Sequence, residues 1–315
     1  MRMDGHRNWT GPGGGSGRPW GEPKVRNGRT LGRAVTMWLA LALAMAAAVG
    51  MVSGCAKETA AGSLVVKGSD TLVNLSAAWA EAFMEANEGV EISVQGGGSS
   101  TGFKALIDGM ADLANASRPI KDSERQALEA KGKVPVAHVV ACDAVNMVVH
   151  PSNPIRSLTM QQLSAILTGQ VTNWKSLGGE DRPITVYSRE TSSGTYAFVR
   201  EHVMGDQDYV FSARLMPSSE SILQAVSQDA TAIGYVGLGY VTEAVRVLAV
   251  AVDDASPAVP PSIETVNDGS YPVARPLFVY SAGEPGDLGK AFIEFCTSEA
   301  GRAITEEMGF VPVGS

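Results

Sequence analysis

The sequence predicts an α/β fold in two halves, each a mixed sheet flanked by helices. Three observations carry this. From about residue 64, stretches of alternating apolar residues take turns with stretches of 3.6-residue apolar period, the pattern of a sheet wound by crossover helices. Two long apolar extended segments, about 139–150 and 271–281, lie far apart in the chain and fit two crossings between the halves. The 315 residues suit one large or two medium domains, and a composition 44% hydrophobic and 18% charged is that of a folded globular chain.

The elements follow in order. "SLVVKGSD" is a strand ending in a polar turn, and "LVNLSAAWAEAFMEAN" is a helix with Leu72, Leu75, Trp79 and Phe83 on one face. Val90, Ile92 and Val94 alternate in "VEISVQ", a strand that runs into "GGGSSTG" and a helix carrying Phe103, Leu106 and Ile107. "ADLANAS" is a short strand. "SERQALEAKG" is a helix in which Ser123 and Gln126 have capping-box spacing. "VPVAHVVACDAVNMVVHPSNP" is a long β-branched run closed by a proline-bounded turn. The pattern then restarts. "LTMQQLSAILTG" is a helix with Thr159 and Gln162 as its capping box, "PITVYS" a strand, and "GTYAFVREHVM" and "SSESILQAVSQD" helices. "TAIGYVG" is a strand, and the three prolines of "DDASPAVPPS" make it a loop. Near the end "YPVARPLFVYS" is strand-like and "LGKAFIEFCTSEAGRAITEEMG" is helical.

Residues 1–54 stand outside this pattern. A long Gly/Arg-rich stretch precedes an uncharged run from Ala34 to Cys55, the layout of a basic n-region and an apolar h-region. Val52-Ser53-Gly54-Cys55 resembles the lipobox of bacterial lipoproteins, which makes residues 1–54 a signal segment and Cys55 the lipidation site. The run is also just long enough to span a bilayer as a single anchor. A cysteine at its end, followed by the polar "AKETAAGS", favours the lipoprotein, with residues 55–63 as a tether.

Without residues 1–54 the chain has 18 basic and 31 acidic residues, a net charge of −13. Such a balance argues against nucleic acid, which needs a basic footprint. Any anion site must work by local geometry against the overall field. Cys142 and Cys296 lie in apolar runs in a compartment that permits disulfides, and they read more readily as two buried thiols than as a bridge. His138, His150 and His202 show no metal-ligand spacing. No metal or cofactor is expected.

Three polar turns each follow a strand and open a helix: "GSDT" at 68–71, "GGGSSTG" at 96–102 and "RETSSGT" at 189–195. Helix N-termini carry unsatisfied N–H groups and positive potential, and glycine and hydroxyl residues let a ligand approach and be bonded. One such turn is an ordinary cap. Three at the ends of strands point to an oxyanion.

The motifs "KGSDTLVNLSAAWAEAF", "VQGGGSSTGFKALIDGMADLANASR", "LTGQVTNW" and "SRETSSGTY" resemble those of the phosphate-binding lipoproteins of bacterial phosphate ABC importers, the PstS family. The likeness runs from about Leu64 to the closing "GFVPV". It implies a two-lobed periplasmic-binding-protein fold of type II with two hinge crossings. One lobe would hold residues 64–143 and 275–315, and the other residues 144–274. It implies capture of inorganic phosphate between the lobes and delivery to permease and ATPase subunits on separate chains, with the membrane reached through the N-terminal lipid.

Carried over by motif, Ser69, Asp70, Thr71 and the backbone of Leu72 would serve the site from the first turn, and Ser99 and Ser100 from the second. Arg189, Ser193, Gly194 and Thr195 would do so from the third, with Arg189 supplying a charged fork suited to phosphate. In the best-known branch of the family an aspartate accepts the phosphate proton where this chain has Arg118. Arg118 then belongs to the site as a charge-balancing residue. Asp70 becomes the nearest substitute acceptor, with an ordinary N-cap as its other reading and Glu190 the next candidate. A regulatory lipoprotein that senses anions is the alternative. A secreted phosphatase with Ser192 or Ser193 as nucleophile fits poorly, because His202 lies two and a half helical turns beyond Ser193.

Overall fold

The computed structural model describes residues 62–314; Cys55 and the signal segment lie outside them. Strand β1 (Gly62–Gly68) leads through a 3-10 turn at Asp70–Leu72 into helix α1 (Val73–Ala86), and β2 (Val90–Gln95) leads into α2 (Ser99–Asp108). After β3 (Leu113–Ala116) and α3 (Asp122–Glu129) comes the long β4 (Pro135–Val149). Next are β5 (Ser157–Thr159), α4 (Met160–Leu167), β6 (Thr185–Arg189) and α5 (Gly194–His202). β7 (Arg214–Met216), α6 (Ser219–Gln228) and β8 (Ala232–Gly237) follow. Two short strands, β9 (Arg246–Val247) and β10 (Ala249–Ala251), precede α7 (Ile263–Asn267). The chain closes with β11 (Ala274–Ala282), α8 (Asp287–Cys296), α9 (Glu299–Glu307) and β12 (Val311–Pro312).

The main sheet runs β2-β1-β3-β11-β4-β8-β6-β7. Both flanks are parallel where helices connect the strands: β2, β1 and β3 on one side, β8, β6 and β7 on the other. The two long strands join them. β4 lies antiparallel to β11 from Pro135 to Ala144, then takes β8 as its partner from Val145 to Val149. Its carboxyl half is buried on both faces, so it reads as a continuous apolar run where an exposed strand would alternate. The fold is the two-lobed, mixed α/β arrangement predicted.

The main apolar cluster spans both flanks, joining residues of α1 to Tyr187, Ile222 and Val236. Leu75, Trp79 and Phe83 recur at helical spacing on α1 and are buried, each contributing on the order of 2 kcal/mol by its removal from water. The ring of Phe83 meets that of Phe292 edge-on at 5.7 Å, and the Trp79 indole donates to Gly301 O at 2.9 Å, locking α1 against α8 and α9. Across the molecule Leu163, Trp174, Tyr235 and Leu248 centre a second cluster.

Two local expectations change. The box on α3 is not Ser123–Gln126: the helix begins at Asp122, and Glu124 Oε2 accepts the Lys121 N–H at 2.9 Å. Glu124 wins because it also holds Arg118, which anchors that end of the helix. The helical tail is two helices, parted at Thr297–Ser298, where the Ser298 hydroxyl caps α9 through Gly301 N–H at 3.2 Å. The Thr159–Gln162 box forms as predicted, with reciprocal bonds of 2.9 and 3.2 Å. Cys142 and Cys296 are free thiols, the first half-buried and the second buried. No helix of the described residues is long and apolar enough to cross a membrane.

Candidate anion-binding site

The three polar turns lie at the carboxyl ends of β1, β2 and β6, the edge where parallel strands present their helix N-termini. They meet. Gly98 N–H donates to Gly68 O at 2.9 Å, which joins the first turn to the second. Ser100 N–H donates to Ser192 O at 3.0 Å, which joins the second to the third. Thr71 Oγ1 and Thr195 Oγ1 lie 2.9 Å apart, which joins the first to the third. Glycine is required at two of these junctions. Gly98 has φ +95 and packs on the Ser192 carbonyl, and a Cβ at Gly194 would collide with Ser99 Oγ and Ser117 Oγ.

The result is a buried polar cluster. Ser69, Thr71, Ser99, Ser117, Arg189, Ser193 and Thr195 are each no more than 2% exposed. Ser193 caps α5, its hydroxyl accepting from Thr195 N–H at 3.1 Å and Tyr196 N–H at 3.3 Å. Ser99 Oγ accepts the Ser117 N–H at 3.1 Å. Leu72 is fully buried, and its N–H donates to Ser69 O at 3.1 Å. Ser69 Oγ and Arg189 Nε are buried without a partner among the described residues.

Arg189 ends β6. It gives Nη2 to Pro217 O at 2.8 Å and Nη1 to Ser219 Oγ at 3.2 Å, and pairs with Asp70 Oδ2 at 3.2 Å. Asp70 does not cap its own helix. Its Oδ2 accepts the Ser219 N–H at 3.0 Å, so it bonds the first N–H of α6, 149 residues away, beside that helix's own N-cap Ser218. Burial raises the Asp70 carboxyl above the usual aspartate range, against the pull of Arg189 and the Ser219 N–H.

Arg118 is committed elsewhere in the same cluster. Its two terminal nitrogens bond Glu124 at 2.6 and 2.8 Å, and further donors go to Pro119 O at 2.8 Å and Ser100 Oγ at 3.0 Å. Glu190 is exposed, which leaves Asp70 as the sequence-derived acceptor within the cluster. The hydrolase arrangement is not assembled: the His202 ring bonds Pro272 O at 2.8 Å and stacks on Phe198.

Sequence reasoning missed Arg275 and Asp143. They face each other across the β4–β11 ladder, 3% and 0% exposed, with Nη2 to Oδ2 at 2.8 Å. Arg275 also reaches Thr195 Oγ1 at 3.0 Å, Thr71 Oγ1 at 3.4 Å and Ser117 O at 3.0 Å. A signal existed: each is a lone charge inside a long apolar strand, a placement that burial penalises unless a partner is supplied.

Two sheet flanks joined by β4 and β11, with a cluster of buried donors at their strand ends, define the class. Residues 54–300 match the PBP superfamily domain, and the protein is a member of that superfamily of two-lobed binding proteins. Within it, the chain belongs to the PstS family. It is 36% identical over 269 residues to the phosphate-binding protein PstS of Pseudomonas aeruginosa, covering 80% of this chain and 83% of that one. With the PstS of Bacillus subtilis it shares 33% identity over 259 residues, 82% of this chain and 83% of the relative. Among solved structures, a Clostridium perfringens protein with bound phosphate superposes with a TM-score of 0.73 at 33% identity, covering 80% of this chain and 100% of that one. An ABC-type phosphate transport receptor from Vibrio cholerae gives 0.65 at 28% identity, covering 79% and 99%.

Proposed function

We propose that this protein is an extracytoplasmic solute-binding protein that captures inorganic phosphate between its lobes and delivers it to an ABC importer. One observation carries the reading: three strand-end turns bring their hydroxyls, N–H groups and Arg189 into a single buried cluster, with Ser69 Oγ and Arg189 Nε left unpartnered. An unbonded buried polar group costs about 1–3 kcal/mol, and an oxyanion supplies the acceptors that remove the cost. The phosphate-binding relatives support the identity of that oxyanion.

In this reading Ser69, Thr71 and Ser99 hold phosphate from one lobe, and Arg189, Ser193, Gly194 and Thr195 from the other; the Leu72 N–H, expected at the anion, is bonded to Ser69 O and shapes the first turn. Arg118 and Ser100 brace the second turn, and Asp70 receives the phosphate proton. Residues 64–143 with 275–315 form the first lobe and 144–274 the second, so that β4 and β11 are the crossings. Residues 1–54 direct export, and Cys55 carries the lipid that tethers the protein outside the cytoplasmic membrane. Permease and ATPase subunits are separate chains. Titration of the purified protein with phosphate, sulfate, arsenate and phosphonates tests the reading. Tight binding of phosphate with sulfate excluded is expected, and failure to bind phosphate overturns it.

A further inference from the structure

We infer that Arg275, held by Asp143, is a positioning residue that aims a threonine hydroxyl proton at the bound anion. The inference rests on the phosphate reading above, and it assigns a role to a pair that the family motifs do not contain.

The two strands place the pair. Arg275 and Asp143 are directly opposed in the β4–β11 register, one residue before β4 reaches the end of that pairing and turns to β8. Asp143 is fixed from two sides: Oδ1 accepts the Leu238 N–H at 2.8 Å, and Oδ2 accepts Arg275 Nε at 3.2 Å and Nη2 at 2.8 Å. The guanidinium is fixed in turn by Ser117 O at 3.0 Å and by the Phe198 ring, 5.3 Å from its central carbon. A planar fork bonded at both ends has no freedom to rotate.

A guanidinium only donates. Its Nη2 faces three acceptors, Asp143 Oδ2 at 2.8 Å, Thr195 Oγ1 at 3.0 Å and Thr71 Oγ1 at 3.4 Å. The threonine oxygens must therefore turn lone pairs toward Arg275 and their protons away from it. The two hydroxyls are 2.9 Å apart, so one donates to the other. The remaining proton can point neither at Arg275 nor at the hydroxyl that donates to it. No other hydrogen bond of either hydroxyl is present among the described residues. That proton is left for an acceptor beside the Thr71–Thr195 pair, at the junction of the first and third turns. An oxyanion oxygen is such an acceptor. Because Asp143 balances its charge, Arg275 acts through hydroxyl orientation, whereas Arg189 faces the anion directly.

The test is a mutant cycle read by calorimetric titration with inorganic phosphate, with thermal unfolding measured alongside. Arg275→Lys keeps a cation for Asp143 but loses the fork, and is expected to weaken phosphate binding roughly tenfold or more. Thr195→Val should weaken it too, and in that background Arg275→Lys should cost little further. Thr195→Ser restores the hydroxyl and should restore the full sensitivity to Arg275→Lys. If Arg275→Lys does not fold, Arg275→Gln combined with Asp143→Asn replaces the pair by neutral groups of similar size and runs the same cycle. Losses that multiply independently, or a folded Arg275→Lys protein with unchanged affinity, overturn the inference while leaving the phosphate reading intact. A wild-type protein that does not bind phosphate overturns both.

Discussion

Arg189 bonds Asp70 at 3.2 Å, Pro217 O and Ser219 Oγ, and its Nε is buried without a partner among the described residues; in the proposed reading the anion is the partner of that Nε. Removing one member of a buried charged contact costs about 3–5 kcal/mol. Arg189→Ala should weaken phosphate binding by roughly two orders of magnitude or more, with an unchanged circular dichroism spectrum. Binding within about tenfold of the parent would remove Arg189 from the site. Asp70 tests selectivity. Phosphate at neutral pH retains a proton and sulfate does not, so an ionised acceptor favours the first and repels the second. Asp70→Asn should lower phosphate affinity and raise that for sulfate, and the ratio of the two constants reads the effect; an unchanged ratio assigns Asp70 to holding the start of α6 alone. The same carboxyl predicts a pH dependence. Its folded value lies above the ordinary 3.8 because burial disfavours the charged form. In the window just above 3.8 the folded state binds more protons than the unfolded one, so wild-type stability falls as pH rises through it. Urea denaturation across that window should show wild type losing stability relative to Asp70→Asn as pH rises, and a wild type that gains stability relative to Asp70→Asn would contradict the sign.

At the scale of elements, the site depends on how closely three helix-opening turns approach. Gly194 is the first residue of α5 and lies against Ser99, the first residue of α2, with Ser117 beside it. A methyl group there meets two serine hydroxyl oxygens and crowds Ser99 Cβ at 3.1 Å; rotating Ser99 breaks its bond to Ser117 N–H, and keeping that bond pushes the turns apart. Gly194→Ala should therefore leave each helix formed and the unfolding temperature little changed. It should weaken phosphate binding by at least about tenfold, the scale of one overpacked contact of 1–3 kcal/mol. Small-angle scattering in saturating phosphate should find the mutant more extended than the parent. A mutant that compacts like the parent would show that the turns can yield without opening. Asp70 acts at this scale as well, because its bonds to Ser219 N–H and Arg189 tie the turn after β1 to the start of α6 and the end of β6.

At the scale of the whole molecule, the proposed lipidation at Cys55 of the lipobox-like Val52-Ser53-Gly54-Cys55 would separate tethering from binding. Cys55→Ser should leave the protein unlipidated while purified protein binds phosphate as before. Metabolic labelling with a fatty acid and membrane fractionation check this. Unchanged labelling would move the lipid elsewhere, and unchanged attachment without label would favour a retained anchor.

What the sequence determined by itself was local and periodic. The faces of α1, the alternation of β2, the Thr159–Gln162 box and the three Ser/Gly/Thr turns are written within a few residues of one another, because helices, strands and caps are short-range hydrogen-bonding problems. Arg189, Ser193 and Thr195 were legible for the same reason, as one contiguous run. What only the tertiary structure decided was partnership. Asp70 reads from sequence as an acceptor or as a cap for the helix it precedes, and its carboxylate bonds the first N–H of α6; Arg118 reads as a charge-balancing residue of the site, and the charge it meets is Glu124, which binds it bidentately. Arg275 and Asp143 are 132 residues apart and meet only because β4 and β11 pair in one register. A buried charge must find its counter-charge wherever the fold brings one, and sequence spacing carries no record of that distance.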